Sequence, residues 1–408
     1  MTALEINTRS GISRKGSCPL NNPIDKEVQK IFKPLNIMQK ITLNPNCHIK
    51  NDIINPNNNF NKFIVIGGAV LIIALYIHRM WEIVFDDNIR RYNKVNVLLF
   101  ASYVDFMVKL SGVLINFYIN IFKTNDTVLF ILYFQKVHRF LNNASSIKKF
   151  IVGSWLGVIL IFAFYTFVTL YVYFSFLRPP FNVLCFIFIS VSHDANIIYF
   201  IRIMKLLTDK MLLWNIQLSL IDENYCNRVQ STKMLQAYDN ILKCYKITTD
   251  IFQLPMLFKT TEMFIACMIN VEIFIQYVLY GFPSSYIDYQ WCLNNLRKYS
   301  HSGNPLASTY LYFWIARNLV MQISISKQID NFYQAVSLSQ NSCLFILASN
   351  SSGNLKTLCK NILRVHRTSF SKMSVCGLFY MDICHPLSFV VLILNYIFVL
   401  LQFAFLDT

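Results

Sequence analysis

Hydrocarbon leaves no partner for an unpaired backbone amide, so an apolar run of about 20 residues has few destinations other than a membrane-crossing helix. The 408-residue chain carries six such runs, at 63–85, 97–122, 150–177, 181–204, 264–282 and 386–405. A seventh, 306–325, is interrupted by Arg317, Asn318 and Gln322. It is counted because its other positions are mostly apolar or aromatic and because the charge distribution requires it; a six-span chain is the alternative. Charged residues make up 14% of the chain, against roughly a quarter in soluble proteins, which argues against a soluble fold.

Lysine and arginine are retained on the cytoplasmic side of a membrane. The stretches before span one and after spans two, four and six hold 26 of the 37, whereas the opposite stretches hold 6, namely Arg90, Arg91, Lys94, Arg178, Arg297 and Lys298. This predicts an all-α integral membrane protein of seven helices, amino terminus in the cytoplasm and carboxyl terminus outside. Residues 1–61 form a cytoplasmic segment and 62–408 the membrane domain. Residues 1–20 show no signal-peptide run, in keeping with that orientation. Helical patterning through Lys205 to Leu220 and Lys233 to Phe258 predicts cytoplasmic extensions. The asparagine-rich first segment reads as loosely ordered, and its amphipathic stretch, Ile31 to Leu43, is expected on the membrane surface. Asn-x-Ser/Thr sequons at Asn125, Asn143 and Asn350 fall in predicted cytoplasmic connectors and read as chance matches.

A net charge of +16 lies between apolar runs rather than on one soluble face, so nucleic acid is not an expected partner. The 11 cysteines contain no Cys-x-x-Cys pair, and neither a metal site nor a cofactor is expected. Phosphate loops, His-Glu-x-x-His and nucleophile elbows are absent, so the chain does not read as an enzyme. A G-protein-coupled receptor would have the reverse orientation, and a transporter would show internal repeats.

Polar groups in a spanning helix are costly unless they face other helices or water. Ser388, Asn395 and Gln402 recur every seven residues and share one stripe of the last helix. That stripe serves either as hydrogen bonds to a neighbouring helix or as the wall of an aqueous path. In the second case Leu392, Phe398 and Val399 could form a constriction that gates by dewetting.

Asn395-Tyr396-Ile397-Phe398-Val399-Leu400-Leu401-Gln402-Phe403 resembles the Thr-Tyr, five apolar residues, Gln-Phe signature of insect gustatory receptors. Upstream, Gly377-Leu378-Phe379-Tyr380-Met381-Asp382 is similar to the Gly-x-Phe-x-apolar-Asp element before the last helix of that family. The resemblance implies a ligand-gated, non-selective cation channel in the plasma membrane of sensory neurons that responds to a small-molecule tastant. It also implies a homo- or heterotetramer around one pore, lined from Ser388, Asn395, Tyr396, Phe398, Val399, Gln402 and Phe403. The family's Thr is here Asn395. The sugar-receptor branch tends to carry Glu where this chain has Ile397, so the likeness leans to bitter or other non-sugar compounds. An odorant-receptor-like subunit is the alternative.

A small-molecule pocket among helices is mainly aromatic with a few orienting polar groups. Spans two to six offer Tyr103 and Asp105; Tyr165, Thr169 and Tyr173; His193 and Asp194; Asn270, Glu272 and Gln276; and Tyr312 and Trp314. Asp105 and Lys109, one turn apart, could equally neutralise each other. His193 could equally be a hydrogen-bonded core residue. Glu272, an acid in a spanning segment, is the best single candidate for a polar or cationic ligand.

Overall fold

The computed structural model describes residues 22–45, 47–50, 52–57, 59–85, 96–176, 181–221, 228–280, 305–349 and 353–406. Within the described residues the apolar runs fall in helices: α2 (Asn59–Phe85), α3 (Asn96–Phe122), α5 (Ala144–Phe176), α6 (Phe181–Ser219), α7 (Arg228–Tyr280), α8 (Pro305–Ala348) and α10 (His385–Leu406). Around them stand α1 (Lys26–Ile41), α4 (Thr124–Phe140) and α9 (Gly353–Ser369). A small antiparallel sheet pairs β1 (Asn22–Pro23) and β2 (His48–Lys50) on either side of β3 (Ile53–Asn55). A hairpin joins β4 (Ser374–Val375) to β5 (Phe379–Tyr380).

Among the described residues, the helical stretches Asn59–His78, Ala144–Tyr171 and Ile187–Ser219 are long and apolar enough to cross a membrane. Phe106–Phe122 with Thr124–Phe140 is a fourth candidate, bent by 60°. Helices α2 and α5 present bare apolar faces, with Val70 61% and Val152 67% exposed. The 53 residues of α7 extend roughly 80 Å at 1.5 Å per residue, far more than a 30 Å hydrocarbon layer takes. The surplus of α6, α7 and α8 packs with α1, α4 and α9 into one large core, centred on the fully buried Trp214, Tyr238 and Phe332.

Helix α1 corrects the surface expectation for Ile31 to Leu43. Val28, Ile31, Phe32, Leu35 and Met38 form its apolar stripe and are all wholly buried. The Phe32 ring stands edge-on to Phe130 and Phe134 of α4, at 6.1 and 5.5 Å. An apolar stripe records that something covers the helix, and here the cover is protein rather than lipid. The described residues between 22 and 57 are accordingly built into the fold and not loosely ordered.

Charged contacts fasten the same helix. Asp25 receives two 2.8 Å bonds from the Arg139 guanidinium. Lys210 donates to His138 Nδ1 at 3.1 Å and to the Leu141 carbonyl at 2.5 Å, while His138 Nε2 faces Glu27 at 3.2 Å. A ring nitrogen that accepts from an ammonium carries no proton, so this His138 is neutral with its hydrogen on Nε2. Burial and the Lys210 charge hold its pKa below the usual value, and burial brings the Lys210 ammonium down to about 8.

The sequon residue Asn143 is a helix cap. Its Oδ1 accepts the Ser145 and Ser146 amides at 3.1 and 3.3 Å, at the start of α5. Asn350 lies outside the described residues. Among the described cysteines, Cys47, Cys244, Cys267, Cys343 and Cys359 are buried.

Candidate functional site

Five helices converge on a buried cluster of ionised groups. Asp194 of α6 meets Lys259 of α7 at 3.2 Å and Arg317 of α8 at 3.3 Å. Glu262, one turn beyond Lys259, pairs with it at 3.1 Å and with Lys109 of α3 at 2.6 Å. Tyr165 of α5 donates to Asp194 at 2.9 Å and accepts from Arg317 Nη1 at 2.8 Å. Lys259, Glu262 and Asp194 are each at most 4% exposed. Single charges could not be held there; mutual pairing is what makes their burial tolerable.

One polar interruption of 306–325 is thereby explained. Arg317 turns to the cluster, its Nη2 donating to Asn318 Oδ1 at 3.1 Å; Asn318 and Gln322 are buried, with no hydrogen-bond partner for Asn318 Nδ2 or Gln322 Nε2 among the described residues. Glu262 and Lys259 were missed as site residues because they precede the apolar run at 264–282. Their i, i+3 spacing was the available signal.

Of the sequence candidates, Tyr165, His193 and Asp194 come together here. Thr169 lies one turn further along α5, its hydroxyl donating to the Tyr165 carbonyl at 2.8 Å. Tyr103 is half-buried on α3. The side chains of Asp105, Tyr173, Asn270, Glu272, Gln276, Tyr312 and Trp314 lie outside the described residues, although their backbones continue the helices. Pairs of contacts set the helix directions: Lys109–Glu262 with Gly112–Phe258, Tyr165–Asp194 with Ser154–Arg202, Arg317–Asp194 with Ala335–Asn215, and Lys259–Asp194 with Phe252–Phe200. Tyr103 and Asp105 precede Lys109 on α3, and Tyr312 and Trp314 precede Arg317 on α8. On the oppositely directed α5 and α7, Thr169 and Tyr173 follow Tyr165, and Asn270, Glu272 and Gln276 follow Glu262. Every one of these positions is therefore displaced to the same side of the ionic cluster.

On its other side an amide network continues the polar core. His193 Nδ1 stands 3.1 Å from Asn116 Nδ2, whose Oδ1 accepts from Asn196 at 2.8 Å. Asn196 in turn accepts from Gln39 of α1 at 2.9 Å. Asn120 donates to Asn44 at 2.6 Å, and Asn44 donates to Ser192. The first segment is rich in asparagine partly because these amides, each both donor and acceptor, tie it to α3 and α6.

Helix α10 leans on α7 through Phe389, 5% exposed, which packs with Met263 and Cys267. The Phe264 ring lies edge-on to Phe389 and Tyr396, at 6.2 and 6.5 Å. Ser388, Asn395 and Gln402 are exposed, as are Leu392, Phe398 and Val399. The Phe403 side chain lies outside the described residues.

The hairpin before α10 gives the upstream motif a physical meaning. Cys376 and Gly377 both have positive φ, 51° and 76°, and such a turn favours glycine. Asp382 Oδ1 accepts the Cys384 and His385 amides at 3.0 and 3.1 Å, capping α10. The Phe379 ring stacks on His385 at 4.7 Å. The strap into the hairpin is held from α7 and α8: Tyr245 donates to the Ser371 carbonyl at 3.1 Å, and Tyr333 accepts the Met373 amide at 2.7 Å.

No family model matches the chain, and no curated protein matches it. Among solved structures it is similar to the insect olfactory receptor OR5 from Machilis hrabei. The two are 13% identical, with a TM-score of 0.56 over 93% of this chain and 100% of that one. At that identity the likeness is one of fold: this chain's mostly helical architecture is similar to that of the insect olfactory receptor.

Proposed function

We propose that the chain is one subunit of a ligand-gated, non-selective cation channel of the insect chemoreceptor superfamily, working as a gustatory receptor for a small non-sugar compound. The observation that carries this reading is the pairing of a whole-chain likeness to an insect olfactory receptor with the Asn395-to-Phe403 signature on the last helix. In this reading seven helices cross the plasma membrane with the amino terminus inside. Four subunits, identical or mixed with other gustatory receptors, place α10 around a common axis. Ser388, Asn395 and Gln402 then wet the path, with Leu392, Phe398 and Val399 as its apolar constriction.

The tastant binds in the outer half of the bundle, among Tyr103, Asp105, Thr169, Tyr173, Asn270, Glu272, Gln276, Tyr312 and Trp314. Tyr165, His193 and Asp194 close the floor of that space. Met263 and Phe264 follow Glu262 directly and touch α10 through Phe389 and Tyr396. A ligand that rearranges the floor thus acts on α10 through one helical turn. An odorant-receptor-like role is the second reading, favoured by the olfactory name of the matching structure.

Voltage-clamped cells expressing the protein should conduct cations on ligand addition without any added G-protein pathway. A ligand panel containing sugars, plant alkaloids and volatile odorants separates the two readings. Gln402→Ala should change conductance or ion selectivity; unaltered currents would remove α10 from the pore.

A further inference from the structure

A narrow cleft lies on the amide side of the ionic cluster, apart from the candidate residues named above. Val65 and Ile72 of α2, Val113 of α3 and Ile189 of α6 wall it with hydrocarbon. Asn44, Asn116 and Ser192, with Thr42, supply its polar lining, and Leu43 meets Gly68 in its wall. The space is about 40 Å3, roughly three times what one water needs, so it suits a slender chain and not a fused ring system. Ile66, Val70 and Leu71 of α2 and Leu114 of α3, each next in sequence to a lining residue, are exposed hydrocarbon.

The polar lining has a defined chemistry. Ser192, 8% exposed, accepts from Asn44 Nδ2 and from Asn116 Nδ2, the latter at 3.2 Å. Both acceptor positions of its hydroxyl are therefore taken, and its own hydrogen has no acceptor among the described residues. Asn44 and Asn116 turn their carbonyl oxygens to Asn120 and Asn196, each accepting one bond there. The Ser192 hydroxyl proton is thus open to an acceptor at the end of an apolar chain.

We infer that the cleft binds an unbranched amphiphile whose alcohol, ketone or ester oxygen takes the Ser192 proton while its chain lies against Gly68, Ile72 and Val113. The same chemistry is available from a free aliphatic alcohol or ester and from the acyl ester of a bilayer lipid. Neither the tastant site nor channel activity enters this argument.

Photolabelling of the full-length protein in phosphatidylcholine nanodiscs tests it with three probes: a diazirine-bearing aliphatic ketone, the hydrocarbon of equal length, and a phosphatidylcholine with a diazirine acyl chain. The ketone should mark the peptides around Val65–Ile72 and Val113–Phe117. Gly68→Leu should cut that labelling by about tenfold. A Cβ at Gly68 meets only Leu43 Cδ1, at 3.8 Å, so the backbone there has room for the start of a side chain; an unchanged thermal unfolding midpoint for Gly68→Leu checks that the fold is kept. Ser192→Ala should lower ketone labelling about fivefold, the worth of one neutral hydrogen bond, and leave the hydrocarbon probe unchanged. Lipid labelling with the same Gly68 dependence identifies the bilayer as the source, and its absence identifies a free amphiphile. Labelling spread evenly over the exposed faces of α2 and α5, indifferent to Gly68→Leu, overturns the proposal. Because no current is read, a chain that proves not to be a channel leaves the test intact.

Discussion

Lys109 of α3 and Glu262 of α7 form a 2.6 Å ion pair across the bundle, with Glu262 only 4% exposed. Removing one partner of a buried pair strands the other charge, at a cost of about 3–5 kcal/mol. Glu262→Ala should therefore lower the thermal unfolding midpoint and surface expression sharply. Adding Lys109→Met should recover part of the loss and not all of it, since Lys259 also bonds Glu262. If Lys109→Met shifts the midpoint by the same amount with Glu262 present and with it replaced, the two residues are not coupled.

At Gly112, α3 packs tightly against α7 and α6. A Cβ there would collide with the Phe258 ring and stand 2.7 Å from His193 Cε1 and Nε2. Gly112→Ala should cost about 1–3 kcal/mol through overpacking. Trimming the ring with Phe258→Leu in the same chain should lessen that penalty, as measured by thermal unfolding in detergent.

Asp382 sets the first turn of α10. Asp382→Ala removes a cap worth about 1 kcal/mol, so hydrogen exchange at the Cys384 and His385 amides should quicken by roughly fivefold. Asp382→Asn retains an acceptor oxygen and should stay close to the parent rate.

His138 makes stability depend on pH. Its folded pKa is depressed by burial and by Lys210, with Glu27 and Asp25 opposing. The contribution is complete above the unfolded value of about 6.5 and is withdrawn as pH falls through the lower folded value. Between pH 7 and 5.5 the loss cannot exceed about 1.4 kcal/mol per pH unit for one group. His138→Gln, which can still donate to Glu27 and accept from Lys210, should flatten that part of the unfolding profile.

Helix positions were legible in the sequence because apolar run length is a local property: 63–85 and 386–405 fall inside α2 and α10 almost residue for residue. The cross-helix partners were not. Spacing along one helix could pair Lys109 with Asp105, but the Glu262 contact joins residues 153 apart. Arg317 counted against its own span because pattern alone does not reveal that Asp194 is waiting on α6. The docking of α1 was hidden for a related reason, since amphipathicity is the same whether lipid or Phe130 covers the stripe. The Gly377 turn and the Asp382 cap stood in plain view as a motif, and only the hairpin gave them a cause.

Gln39 and Asn196 are bonded across 157 residues. At synthesis rates of roughly 5–20 residues per second, α1 waits on the order of 10–30 s for its receiving surface to leave the ribosome. Throughout that interval the Gln39 amide has no partner on α6, so this end of α1 is seated only after a segment made much later than itself.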